Sequence, residues 1–133
     1  MNAELQAVAE KCLRGSETNA MTFPAIVKML IDNGFEGYTV DYRRGTATYF
    51  LADGDSVELA FADKHGPVAL AFNATAINAA VREAQQLIPG YTYKSFCAKA
   101  TAAGCAGYLV SFPGKRVLYF GRTAETHVEH FPQ

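Results

Sequence analysis

Gly37-Tyr38-Thr39-Val40-Asp41-Tyr42 returns later in the chain as Gly107-Tyr108-Leu109-Val110-Ser111-Phe112. In both stretches the large apolar side chains fall on alternate positions, the pattern of a strand with one buried face. Laying Thr22–Phe50 beneath Thr92–Phe120 extends the match to seven identities in 29 positions. Four of them, Gly34/Gly104, Gly37/Gly107, Tyr38/Tyr108 and Val40/Val110, fall within one seven-residue window. Such self-similarity at a fixed offset indicates an internal repeat.

Working back from the strand, Phe23, Ile26, Val27, Leu30 and Ile31 form the stripe of a helix with one buried face, and Tyr93, Phe96, Cys97 and Ala100 repeat it. Thr22 and Thr92 stand where N-caps belong, Pro24 sits in a first turn that tolerates its missing N–H, and Gly34 and Gly104 stand at the left-handed stop. Working forward, Arg43-Arg44-Gly45 and Pro113-Gly114 read as hairpin turns leading to second strands that carry Tyr49-Phe50 and Tyr119-Phe120. Asp53-Gly54 turns into a third strand, Ser56–Phe61. Its counterpart Thr126–Phe131 aligns with one inserted residue, which pairs Val57-Glu58 with Val128-Glu129. A further apolar stripe precedes each unit, at Leu5, Val8, Ala9, Cys12 and Leu13 and at Ile77, Ala80, Val81, Ala84 and Ile88, the latter closed by Pro89-Gly90.

The sequence therefore predicts an α+β fold built by internal duplication of a helix-helix-strand-strand-strand unit, with antiparallel sheet or sheets packed against helices about a pseudo-twofold axis. One domain spans residues 1–133, with copies at about 1–62 and 73–133 joined through Asp63–Pro67. Val68–Phe72 reads equally as an extra strand or a connector. Each half alone would have a thin core, so the halves are expected to share an interior with Val40 and Val110 at its centre.

Half of the residues are hydrophobic and 19% are charged, the balance of a folded domain rather than a disordered segment. No apolar run reaches the roughly 18–20 residues that span a bilayer, and Met1-Asn2-Ala3-Glu4 lacks a signal-peptide pattern. No membrane association and a cytoplasmic location are expected. Cys12, Cys97 and Cys105 are odd in number and include no C-x-x-C pair, which predicts reduced, mostly buried thiols. Net charge is −1, yet residues 32–63 hold seven acids against two bases while residues 84–124 hold five bases and no acid. Such asymmetry can steer a charged partner or a head-to-tail self-contact.

The second half resembles the YdfO-like proteins, small uncharacterised products encoded largely in prophages and bacterial genomes and sometimes labelled phage envelope protein. The resemblance is carried by Tyr91-Thr92-Tyr93-Lys94-Ser95-Phe96-Cys97, Ala102-Ala103-Gly104-Cys105-Ala106-Gly107-Tyr108, Tyr119-Phe120 and Val128-Glu129-His130-Phe131-Pro132. Where that family shows a Tyr-Tyr pair and an acidic residue, this chain has Tyr119-Phe120-Gly121-Arg122. The resemblance implies a fold and a phage-linked setting, and no catalytic residues.

The polar cluster richest in chemistry is Thr126-His127-Val128-Glu129-His130. On a strand it would point His127 and Glu129 to one face and Val128 and His130 to the other. An H-x-E pair can hold a metal or join a base to a carboxylate, but a metal needs a third ligand and His65 is the only other histidine. Glu58 and Glu129 are placed as equivalents by the alignment, and a pseudo-twofold could bring them together, as acid–base work would use, or set them at opposite ends. No G-x-S-x-G, phosphate-binding loop or dinucleotide fingerprint is present, so no catalytic set, metal site or cofactor is predicted. Arg43, Arg44, Lys115, Arg116 and Arg122 cluster at or near hairpin turns among aromatics, a pattern that can bind nucleic acid. The slightly negative net charge argues against it.

The expectation is accordingly a non-enzymatic interaction module of phage or prophage type, contacting an unidentified protein partner or pairing with itself as a homodimer through a sheet edge or helix face. The alternatives are a small-molecule-binding or hydrolytic protein, using a groove between the copies with Glu58, Glu129, His127 and His130, and a nucleic-acid binder using the basic hairpins.

Overall fold

The computed structural model describes residues 1–86 and 88–132. Ten elements follow one another: α1 (Ala3–Glu17), α2 (Phe23–Asp32), β1 (Phe35–Asp41), β2 (Thr46–Leu51), β3 (Ser56–Ala60), α3 (Ala74–Gln86), α4 (Tyr93–Ala102), β4 (Cys105–Ser111), β5 (Arg116–Gly121) and β6 (Thr126–His130). The fold is α+β, with one six-stranded antiparallel sheet ordered β3-β2-β1-β4-β5-β6.

The predicted caps form. Thr22 Oγ1 accepts from Ala25 N at 3.3 Å and Thr92 Oγ1 from Ser95 N at 3.1 Å, satisfying one orphan donor at the start of α2 and of α4. Asn2 caps α1 in the same way. Ile88, expected as the last member of the α3 stripe, lies beyond the helix and is 37% exposed. Pro89 explains this, because the residue before a proline is pushed out of helical geometry.

The two middle strands meet where the Gly-Tyr-x-Val stretches lie. Tyr38 pairs with Val110, Val40 with Tyr108, and Thr39 with Leu109 between them. Each half therefore gives the other the same pair of contacts. Backbone bonds follow the same symmetry: Tyr42 N donates to Ala106 O and Phe112 N to Glu36 O, while Phe61 N donates to Gly45 O and Phe131 N to Lys115 O. Both middle strands shift register just before the Tyr, between Phe35 and Gly37 and between Cys105 and Gly107. At these bulges the glycines are needed for closeness rather than for dihedral freedom. A Cβ on Gly37 would press against the carbonyl oxygen of Val110, and one on Gly107 against that of Val40.

Symmetry also corrects the alignment of the third strands. Tyr49 pairs with Val57 and Tyr119 with His127, so Val57 stands opposite His127 in the correspondence and no residue is inserted. Glu58 thus corresponds to Val128, and Leu59 corresponds to Glu129. The expected equivalence of Glu58 and Glu129 fails because the turns Asp53-Gly54 and Thr123-Ala124 have equal length, and a one-residue slip would turn every side chain to the wrong face.

All four helices pack on one face of the sheet. Tyr38, Val40, Tyr42, Tyr108, Val110 and Phe112 are buried beneath them, with Val40 at 2% and Val110 at 0% exposure in the predicted centre. Val68–Phe72 is a connector and not a strand. It is held by Ala69 N to Thr101 O and Asn73 N to Ala103 O, and its backbone passes so close to Gly104 that no side chain fits there. The three thiols are free and buried, and burial pushes each up to about 11.

Candidate functional site

Two adjacent rows of side chains cross the helix-covered face. One reads Glu129, Val117, Val110, Tyr38, Tyr49, Val57 and the other His127, Tyr119, Tyr108, Val40, Ala47, Leu59. Alternation along the strands places these residues inward, and the pairings align them. The helices do not press fully onto these rows. A cavity of about 310 Å³ remains between the sheet, the start of α2, the end of α3 and the start of α4. The exposed residues Pro24, Gln85 and Pro132 lie at its rim and mark a mouth.

Six tyrosines line this space: Tyr38, Tyr49, Tyr108 and Tyr119 from the sheet, Tyr93 from α4 and Tyr91 just before it. Tyr38 stacks on Tyr49 with ring centroids 5.1 Å apart, and Tyr108 and Tyr119 lie tilted at 5.5 Å. Two hydroxyls, those of Tyr93 and Tyr108, share a 2.7 Å hydrogen bond. Outside the cavity lining, Tyr42 donates to Cys97 Sγ at 3.4 Å. The hydroxyls of Tyr38, Tyr49 and Tyr119 have no protein partner among the described residues, although these side chains are only 6%, 3% and 6% exposed. No described side-chain N or O sealed from solvent lacks a partner, so these three hydroxyls face open space, which the cavity supplies. Burial raises the pKa of all six phenols, Tyr91 to about 12, and keeps them neutral donors and acceptors.

Glu129 also lines the cavity and is the acidic residue there, with its side chain 13% exposed. One of its carboxylate oxygens lies 3.3 Å from His127 Nε2. No Lys or Arg is among the described cavity-lining residues. The arrangement can hold a small molecule with an apolar body against the aromatic walls and offer it hydroxyls and one carboxylate.

A protein-family model described as "Protein of unknown function (DUF1398)" matches residues 11–129. The chain belongs to the DUF1398 family. No curated protein matches it. The family description assigns no activity, so the function of this DUF1398 chain has to be read from its own site.

The other polar residues singled out in the sequence scatter. Glu58 lies on the open face of the sheet at the opposite edge from β6, where Arg44 pairs with it at 3.4 Å. It therefore forms no carboxylate pair with Glu129, because the sheet's own width separates their strands. His130, exposed at the end of β6, alternates away from His127, yet it is among the residues that line the cavity, beside Phe131 and Pro132. His65 packs edge-on against Tyr42 and Phe61 near the β1–β2 turn, far from β6 in the sheet order. Among the described residues no three His, Cys, Asp or Glu side chains are grouped to hold a metal.

The basic residues are divided as well. Antiparallel β1 and β4 send the turn carrying Arg43 and Arg44 to one end of the sheet and the turn carrying Lys115 and Arg116 to the other. Arg122 donates to Val68 O at 3.2 Å and Arg116 Nε to Gly114 O at 3.0 Å. Among the described residues no helix is long and apolar enough to cross a membrane.

The strand alternation marks Tyr38 and Tyr108 as inward and does not distinguish a packed core from a cavity wall. One signal was available: seven tyrosines and no tryptophan, most of them at inward positions. A tyrosine turned inward brings a hydroxyl that phenylalanine would spare the core.

Proposed function

We propose that this DUF1398 protein is a non-enzymatic binder of a small molecule with an apolar body, held in the tyrosine-lined cavity between helices and sheet. The observation that carries the reading is the set of three buried tyrosine hydroxyls, Tyr38, Tyr49 and Tyr119, without protein partners on the wall of a cavity of about 310 Å³. Buried polar groups find partners, so these three are met by an occupant, either water or a ligand. A void of this size, apolar in most of its wall with a few convergent polar groups, falls in the range used for small-molecule sites.

The test is binding of the neutral fluorophore phenylnaphthylamine, followed by emission. The parent protein should bind it saturably, and Val117→Phe, which fills the floor of the cavity, should abolish the signal. Ala84→Phe, at the looser rim, is a second blocker if the first unfolds. Dye binding that survives both in folded protein would overturn the reading.

A protein-contact role rests on a separate observation. On the face that carries no helix, Val128, Leu118 and Leu109 form a cross-strand row, with Leu109 at 41% and Val128 at 39% exposure. An apolar row of this kind on a sheet face suits a partner protein or a second copy. Leu109→Glu should weaken any self-association seen in sedimentation, and a concentration-independent monomer in the parent would remove the homodimer. We also infer a duplicated origin for the two halves, supported by the matched Gly-Tyr-x-Val stretches and the symmetric register. The likeness to YdfO-like proteins supports a phage-linked setting.

A further inference from the structure

Resting on the small-molecule reading above, one residue gives the ligand a charge. Glu129 stands on the inner face where the symmetry-related position of the first half holds Leu59, which packs against the core. An inward carboxylate at a site built for leucine costs stability unless something compensates it. Its one ion-pair partner among the described residues is His127, charged only if protonated, and no Lys or Arg lines the cavity.

Tyr119, on the strand paired with that of Glu129, is the nearest of the sheet tyrosines, and an aromatic ring attracts a cation held within about 6 Å of its centroid; Tyr108, Tyr38 and Tyr49 stand progressively farther along the sheet. The three unpartnered hydroxyls can accept from N–H donors and can equally donate, so the sign of the ligand's charge rests on Glu129. An anion would meet the Glu129 carboxylate with no Lys or Arg to receive it, His130 being the basic side chain among the described lining residues. A neutral ligand would leave the carboxylate with His127 as its one ionic partner among the described residues.

We infer that the cavity takes a monocationic amine with an apolar body, its ammonium held by Glu129 beside the Tyr119 ring and its body against Val110 and Val117. His127 is then a positioning residue, steadying the Glu129 carboxylate from the side away from the ligand.

The experiment is calorimetric titration of the full chain at neutral pH with three probes that share one body: phenethylamine, phenethyl alcohol and phenylacetate. The amine should bind on the order of 10- to 30-fold tighter than the alcohol, as expected for a desolvated cation over aromatic faces, and phenylacetate should bind weakest. Glu129→Gln, nearly isosteric, should bring amine and alcohol within about threefold of each other while the alcohol's affinity holds. Glu129→Leu, matching the residue at the equivalent position, gives the same readout if the glutamine variant is unstable. Equal binding of amine and alcohol by the parent, or an amine preference that survives both variants, overturns the charge assignment and leaves the small-molecule reading standing. No binding of any probe, together with no uptake of the neutral dye, overturns both.

Discussion

Gly37→Ala and Gly107→Ala test the seam on which the two halves join. Each added Cβ would lie well under 3.0 Å from a backbone carbonyl oxygen of the facing central strand, Val110 for the first and Val40 for the second. A carbonyl in a ladder cannot swing away as a side-chain tip can, so the strands must separate or the bulge must re-form. Overpacking of this kind costs about 1–3 kcal/mol. Alanine also narrows the unfolded ensemble and returns up to about 1 kcal/mol. The net expectation is a loss of about 1–2 kcal/mol for Gly37→Ala. Gly107→Ala should lose about 2–3 kcal/mol, because its Cβ also meets the Phe120 ring at 2.7 Å. In a chain of 133 residues each kcal/mol moves Tm by roughly 3–5 °C. Gly66, with open space around it and no positive φ, is the control, and its alanine variant should melt at or slightly above the parent. Urea and thermal unfolding by circular dichroism would measure the series. If both seam variants melted with the control, the close approach would not be what requires glycine there.

Three further outcomes follow from particular residues. Lys115 and Ala124 occupy left-handed backbone, φ 50° and 66°, where the first half places Gly45 and Gly54 at φ 71° and 94°; Lys115→Gly and Ala124→Gly should each stabilise by about 0.5–1 kcal/mol in urea unfolding, and a loss would show that the turns are not strained. Burial raises the thiols of Cys12, Cys97 and Cys105 to about 11, and it raises the phenols of Tyr38, Tyr42, Tyr49, Tyr108 and Tyr119 further. The folded state thus holds these protons more tightly than the unfolded one, so the contribution is complete below about pH 9 and is lost as pH rises through 9–11 and beyond; stability that stays flat to pH 11 would refute the burial of these groups. Thr92→Ala should cost about 1 kcal/mol through the lost cap of α4, read from the same urea curves, and a neutral result would mean that tertiary contacts alone fix the start of that helix.

Much of the fold was legible because its signals are local. The glycine stops, threonine caps and Gly-Tyr-x-Val alternation each act within a few residues, and Gly34, Gly104, Thr22 and Thr92 stand where those signals put them. The third strands were misaligned because Val57-Glu58 and Val128-Glu129 look alike as letters, whereas the ladder counts positions from Tyr49 and Tyr119. The basic turns seemed to form one set in sequence, but an antiparallel central pair sends equivalent turns to opposite ends, a consequence of topology that no local pattern carries. The cavity was illegible for a related reason: it is what four helices leave uncovered, and the strand pattern marks a tyrosine as inward without saying whether anything packs against its hydroxyl.

The corrected register gives the polar pair on β6 its meaning. Val57 and Leu59 are apolar and pack against the core, as an inner sheet face requires, and the matching register positions on β6 hold His127 and Glu129. Nothing in the fold asks for that exchange, since the first half closes its edge without it. Restoring the apolar pair by His127→Val with Glu129→Leu should therefore be neutral or raise stability, as replacing partly buried polar pairs by apolar residues often does, and should erase discrimination between amine and alcohol. A departure from a scaffold's own pattern at a cost in stability is expected where function or strain sits. If the double variant were less stable than the parent in thermal unfolding, the pair would be structural, and the case for a ligand at β6 would have to rest on the tyrosines alone.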